Sequence, residues 1–188
     1  MNWRRLVPLL LLPALGGLLY TFQRMDSSDL GLPEQPTSLP RYSLGGAELT
    51  RYDIYGNPTL HGTAENIDYF DDQSGAARTL QLELLSPGGS AWRLTAPGAD
   101  LPSYQRRLRL NGAVVASGRW PDTGEELTLN TDHLWVDPDN RQFDTDAPLN
   151  LQSPGRTGSA TGLRADWAGR NLQLQHDVKM NYEVPPTP

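Results

Sequence analysis

The most regular feature of the chain is a period-two alternation of apolar and polar positions. It is cleanest in Leu172-Gln173-Leu174-Gln175-His176-Asp177-Val178-Lys179-Met180-Asn181-Tyr182, where every second side chain is apolar or aromatic except His176. Successive side chains of a strand point to opposite faces, so this run predicts one apolar and one wetted face. Shorter alternating runs recur upstream, at Leu80-x-Leu82-x-Leu84, Trp92-x-Leu94, Leu108-x-Leu110, Leu127-x-Leu129 and Leu149-x-Leu151. Turn signals separate them, among them Pro97-Gly98, Asn111-Gly112, Asp122-Thr123-Gly124, Asp137-Pro138-Asp139-Asn140 and Ser153-Pro154-Gly155. No comparable stretch carries a helical period. The pattern predicts many short antiparallel strands.

A weak internal repeat runs through the same region. Ala64-Glu65-Asn66-Ile67, Gly98-Ala99-Asp100-Leu101, Thr131-Asp132-His133-Leu134 and Ala165-Asp166-Trp167 each place polar or acidic residues ahead of an apolar one. Asp100, Asp132 and Asp166 stand 32 and 34 positions apart. A unit of that length holds two or three strands, which cannot bury their own apolar face, so neighbouring units must stack. After Tyr182 the chain reads Glu183-Val184-Pro185-Pro186-Thr187-Pro188, and prolines forbid further ladder pairing. The last run is therefore expected at the edge of the sheet. Repetition without a capping element favours an edge that docks another chain's strand over one that is merely blunted.

The other continuous apolar stretch is Leu6 to Phe22, seventeen residues without a charge. As a helix it is roughly 26 Å long, slightly short of a hydrocarbon core of about 30 Å. Trp3, Tyr20 and Phe22 suit the interfaces, and Pro8 and Pro13 imply a kink rather than a break, because only a helix satisfies its backbone there. Arg4 and Arg5 precede the stretch and Asp26 and Asp29 follow it, which predicts a cytoplasmic N-terminus and an exported C-terminal domain. No small-x-small cleavage site follows, so an uncleaved anchor is favoured over a cleaved signal peptide. The expected organisation is a cytoplasmic N-terminus at 1–5, a transmembrane helix at 6–22, a linker at 23–41 rich in Pro, Ser, Asp and Gly, a β domain at 42–184 and a disordered tail at 185–188.

Composition narrows the chemistry. There is no cysteine, which excludes a disulfide framework and thiolate metal sites. The net charge of -6 becomes about -9 beyond Met25 once Arg4, Arg5 and Arg24 are set aside, so nucleic acid is not an expected partner. His61, His133 and His176 have no metal-ligand spacing. The pairs Asp71-Asp72 and Glu125-Glu126 can be read as glycosidase carboxylates, but both sit beside turn residues and read more simply as solvated loops. Arg106, Arg107, Arg109 and Arg119 form the only basic cluster of the domain, either a contact for phosphate groups or a solvated face balancing nearby acids. No glycine-rich phosphate loop, nucleophile elbow or metal motif is present, and no catalytic residue, metal or cofactor is expected.

The apolar N-terminal stretch, the Pro-rich linker and the ending Gly169-Arg170-Asn171-Leu172-Gln173-Leu174-Gln175-His176-Asp177-Val178-Lys179-Met180-Asn181-Tyr182 together resemble the LptC family, inner-membrane components of bacterial lipopolysaccharide transport. The resemblance extends through Tyr69-Phe70-Asp71-Asp72-Gln73, Trp92-Arg93-Leu94-Thr95-Ala96, Leu108-Arg109-Leu110-Asn111-Gly112-Ala113-Val114 and the turn at Thr161-Gly162-Leu163. It implies an all-β periplasmic jellyroll, open along one side, behind one inner-membrane helix. It implies also a non-enzymatic role: receiving lipopolysaccharide from the inner-membrane ABC transporter complex of permease subunits and ATPase, and passing it to the periplasmic jellyroll bridge protein LptA. The partner-docking edge then maps onto Leu172, Leu174, His176, Val178, Met180 and Tyr182. Gly155 matches a turn position to which the family is sensitive, and Ala14, Gly16 and Gly17 are expected to pack the anchor beside the transporter's helices.

Physical chemistry supplies a reason for such a carrier. Each methylene taken out of water is worth about 0.8 kcal/mol, so one acyl chain of about a dozen carbons costs on the order of 10 kcal/mol to carry exposed. An apolar β groove lined by Leu82, Leu84, Leu94, Leu108, Leu110, Leu127, Leu129, Leu149, Leu151, Leu172, Leu174, Val178 and Met180 would offset most of that. For each leucine taken singly, a place in a filled core is the simpler expectation. The competing functions are a membrane-anchored structural or adhesin-like β module and a periplasmic glycan hydrolase. The hydrolase requires that Asp71, Asp72, Glu125 or Glu126 be indispensable.

Overall fold

The computed structural model describes residues 39–86 and 89–183. The predicted membrane helix with Ala14, Gly16 and Gly17, nearly all of the linker and the tail lie outside them. Nine strands form among the described residues: β1 (Tyr42–Tyr52), β2 (Pro58–Tyr69), β3 (Gly75–Ser86), β4 (Gly89–Leu101), β5 (Leu108–Arg119), β6 (Glu126–Asp137), β7 (Gln142–Ser153), β8 (Arg156–Asp166) and β9 (Asn171–Tyr182). Each pairs antiparallel with the next in chain order, giving one open sheet with β1 at one edge and β9 at the other.

These strands are 11 to 13 residues long, about twice the usual length and longer than the alternating runs predict. The reason is that three of the predicted turns are not turns, Thr161-Gly162-Leu163 lying inside β8. Pro97-Gly98 lies inside β4 and Asn111-Gly112 inside β5. Both sit where the ladder slips, between Thr95 and Gly98 and between Asn111 and Val114. The slip continues across the sheet, at Thr131/Trp135, Thr145/Pro148 and Ser159/Thr161. On the β1 side pairing is skipped at Gly46, Glu65 and Thr79, and Gly46 and Thr79 have φ of +62° and +53°. Bulges bend a strand and raise its twist, so a row of them creases the whole sheet. Gly112 shows why a glycine is needed on this row. Its φ is +86°, and a Cβ would stand 2.6 Å from Pro97 Cγ of the neighbouring strand.

The crease turns one face of the sheet onto itself. Trp92, at the start of β4, and Phe143, at the start of β7, lie at opposite ends of the strands and three strands apart, yet their ring centroids are 5.0 Å apart, edge to face. Three strand spacings alone are about 14 Å, so only a folded sheet brings these rings together. The two halves thus face each other as a jellyroll-like sandwich. Leu84, Leu94, Leu110, Val136 and Phe143 are fully buried between them, and Trp167 extends the packing beyond β8, its ring 6.4 Å from that of Phe143.

β1, β2 and β8 are strands that the leucine alternation does not mark. β1 carries Gly45, Gly46 and Ala47 and is exposed on both faces over most of its length, so no period appears in it. In β8 the inward positions are small, Ala160 and Ala165 beside Leu163. The two halves depend on their aromatic contact, and Phe143→Ala is expected to destabilise the domain by about 3–5 kcal/mol. Leu44→Ala, on the half-exposed edge strand, is expected to cost less than about 1 kcal/mol. Urea unfolding followed by tryptophan fluorescence measures both.

Candidate functional site

Where the halves meet at the β1 side, the sandwich does not close. An apolar cleft of ≈ 480 Å³ opens there. Leu49, Leu60 and Leu82 reach it from one half of the crease, and Leu44, Ile67 and Leu108 from the other. Its cause is side-chain size. Ala47, Gly62, Ala64, Ala76, Ala77 and Ala99 border it, whereas the interior beyond the cleft is filled by Trp92, Phe143 and Trp167. Small residues facing each other across two sheet halves leave space that large ones would occupy. The charged side chains bordering the cleft are Glu48, Arg51 and Arg106.

Two of the thirteen residues expected to line a groove, Leu82 and Leu108, border this cleft. Leu84, Leu94, Leu110, Leu127, Leu129, Leu149 and Leu151 are packed in the filled interior, each at most 3% exposed. Leu172 and Leu174, on β9, pack against the same core from its edge. Met180 is half-buried over Gly158, and Val178 is exposed. Sequence reasoning missed Leu44, Leu49, Leu60 and Ile67, which stand in no run of alternating leucines, and the small residues of β1 to β4, because alternation marks large apolar side chains and a cavity is made by their absence.

Among the described residues β9 forms the terminal edge, paired with β8 alone. Its outer side chains include exposed His176, Val178 and Tyr182. The break in apolar alternation at His176 marks a bulge: Asp177 and Val178 together oppose one residue of β8, and Asp177 has φ +51°. Gly155, in the two-residue connection from β7 to β8, has φ +67° and nothing near the place a Cβ would take. Its carbonyl accepts a hydrogen bond from the Glu183 N–H at 2.9 Å, which ties the end of β9 to that turn.

The other candidate groups are engaged in turns or in contacts between strands. Asp72 accepts hydrogen bonds from Ser74 Oγ at 2.6 Å, Ser74 N at 3.0 Å and Ser103 Oγ at 2.8 Å, and the Ser74 hydroxyl first of all holds its carboxyl below the ordinary value. A glycosidase acid needs the opposite shift. Asp71 faces Arg41 at 3.7 Å, Glu125 pairs with Arg156, and Glu126 lies opposite Arg119 in the ladder. His133 Nε2 is 2.6 Å from Asp146, and that hydrogen bond holds the Asp146 carboxyl down. No group of His, Asp and Glu able to hold a metal occurs among the described residues. The four arginines do not form one patch. Arg107 pairs with Asp144 and lies over the Trp135 ring at 5.3 Å, Arg109 lies over the same ring at 5.7 Å, Arg106 pairs with Asp139, and Arg119 stands at the far end of β5.

Comparison with solved structures agrees with this architecture. The fold is similar to that in the crystal structure of LptH, described as the LptA-homologous periplasmic component of the lipopolysaccharide transport device of Pseudomonas aeruginosa. The TM-score is 0.50 at 9% identity, over 66% of this chain and 95% of that one, which shows a shared fold. Comparison with curated proteins by sequence gives no match. Residues 9–183 match the model of the family described as lipopolysaccharide-assembly, LptC-related, and the chain belongs to that family, with a role in lipopolysaccharide transport.

Proposed function

We propose that the chain is a non-enzymatic carrier. It receives lipopolysaccharide from the inner-membrane ABC transporter complex and passes it through its apolar interior to a periplasmic jellyroll bridge protein of the LptA type. The helix predicted at 6–22 tethers the domain to the inner membrane, packed there through Ala14, Gly16 and Gly17, and ATP hydrolysis belongs to the transporter. The observation that supports this reading best is the apolar cleft between the two halves.

At ≈ 480 Å³ the cleft is in the range of a small-ligand pocket, too small for several acyl chains at once. Lipid transfer in this reading begins at Leu82 and Leu108 and parts the halves, so that acyl chains replace the contacts among Leu84, Leu94, Leu110, Leu127, Leu129, Leu149 and Leu151. Exchange of one apolar partner for another keeps those side chains out of water throughout, which is what lets the step run without a large barrier. The exit is the β9 edge, where half-buried Leu172, Leu174 and Met180 continue the apolar lining, exposed Val178 is offered to the partner, and the edge strand accepts a partner's strand. No observation favours the adhesin-like module.

A photo-crosslinking residue at Leu82 or Leu108 is expected to label lipopolysaccharide in cells, while one at Asp122 in the β5–β6 turn is not; labelling confined to turn positions would refute the carrier. One placed at Val178 is expected to capture the LptA-type protein and one at Leu44, on the opposite edge, not to. Equal capture at both edges would exclude β9 as the specific exit. Alanine at Asp71, Asp72, Glu125 and Glu126 is expected to leave lipopolysaccharide delivery to the cell surface unchanged, and loss of delivery at any of them with the domain still folded would revive a catalytic role.

A further inference from the structure

Two guanidinium groups border the apolar cleft. Arg51 comes from the end of β1 and Arg106 from the connection between β4 and β5. Between them stands Asp139, in the turn from β6 to β7. Asp139 Oδ1 accepts a hydrogen bond from Arg51 Nη2, and its Oδ2 accepts one from Arg106 Nη1 at 3.4 Å. One carboxylate thus bridges two cations from distant segments, with one oxygen for each. The side chains of Arg51, Arg106 and Asp139 are 43%, 85% and 30% exposed, so an anion arriving from solvent can reach the pair.

We propose that Arg51 and Arg106 form an anion-binding pair at the mouth of the cleft, taking a phosphate group of the amphiphile whose acyl part enters it, and that Asp139 occupies the pair when the cleft is empty. This rests on the carrier reading above. A guanidinium fork matches two phosphate oxygens as it matches a carboxylate, and a phosphate monoester brings about 1.5 to 2 negative charges against one. Solvent-exposed ion pairs are weak, so Asp139 is displaced readily. The hairpin does not come loose when this happens, because Arg141 still meets Asp53 at 3.5 Å and joins the same hairpin to the same turn. The apolar cleft and the cationic pair adjoin, which is the arrangement an anionic amphiphile presents in reverse.

The test uses the full chain in zwitterionic phosphatidylcholine nanodiscs, with a photo-crosslinking residue at Leu108 and added lipopolysaccharide. Arg51→Ala and Arg106→Ala are each expected to lower labelling about three- to tenfold, and Asp139→Asn to raise it by a similar factor. Arg51→Lys and Arg106→Lys, which keep the charge but lose the fork, are expected to give labelling between that of the native chain and that of the alanine variants. Phosphatase treatment of the lipopolysaccharide is expected to abolish the difference between the native chain and the alanine variants. An ion pair that only braces the fold, or only latches the cleft shut, moves the Arg51→Ala and Asp139→Asn variants in the same direction, and that result overturns the proposal. Inorganic phosphate in equimolar amount is expected to leave labelling unchanged; equal competition would make this a site for free phosphate and overturn the role assigned to the amphiphile. Absence of labelling in the native chain would refute the carrier reading itself, a result distinct from labelling that the arginine variants leave untouched.

Discussion

One face of a single nine-stranded sheet has to be buried, and among the described residues the sheet itself is what covers it. Burying a leucine or phenylalanine side chain is worth about 1.5–3 kcal/mol, so the row of inward leucines strongly favours closure. A flat sheet cannot provide it. The crease of bulges and skipped pairs is the solution, and Trp92 against Phe143 is where the two halves meet most closely. The positive φ at Gly46, Thr79 and Gly112 and the mid-strand Pro97 are consequences of that need.

The same constraint explains why the domain is closed in its middle and open at one side. Aromatic rings fill the interior near β4, β7 and the end of β8, whereas glycines and alanines of β1, β2 and β3 leave a cleft. Among the described residues the long meander also leaves β1 and β9 as its two edges, since no strand there pairs β9 with β1. Stability and accessibility are thereby assigned to different parts of one sheet. The carrier proposed above would need that separation, because a lipid held as tightly as a core residue would not be released.

Ionic contacts act at the openings. Around the cleft, Arg51, Arg106, Arg141, Asp53 and Asp139 join the β1–β2 hairpin to segments that are distant in the chain. The carboxylates also fasten turns: Asp53 accepts from the Asn57 N–H first of all and is held below its ordinary range, as Asp72 is by Ser74. These contacts shape the rims and contribute little to global stability.

Much was legible without coordinates. The alternation at Leu80–Leu84, Leu127–Leu129, Leu149–Leu151 and Leu172–Leu174 determined the strand class and the inward face, and the run Leu172–Tyr182 marked β9, though its bulge at Asp177 turns Val178 and Tyr182 out to solvent; a period of two is a local property of extended backbone. The residues that resemble the LptC family pointed to the family that the chain belongs to. What the tertiary structure alone decided is where apolar surface is filled and where it is open. Pro97-Gly98 and Asn111-Gly112 read as turns locally, and only pairing with neighbouring strands makes them the crease. Leu84 and Leu82 are indistinguishable in sequence, yet one is sealed in the core and the other borders the cleft. The difference lies in which residues face them across the fold, and no local pattern records residues that meet only when a sheet closes on itself.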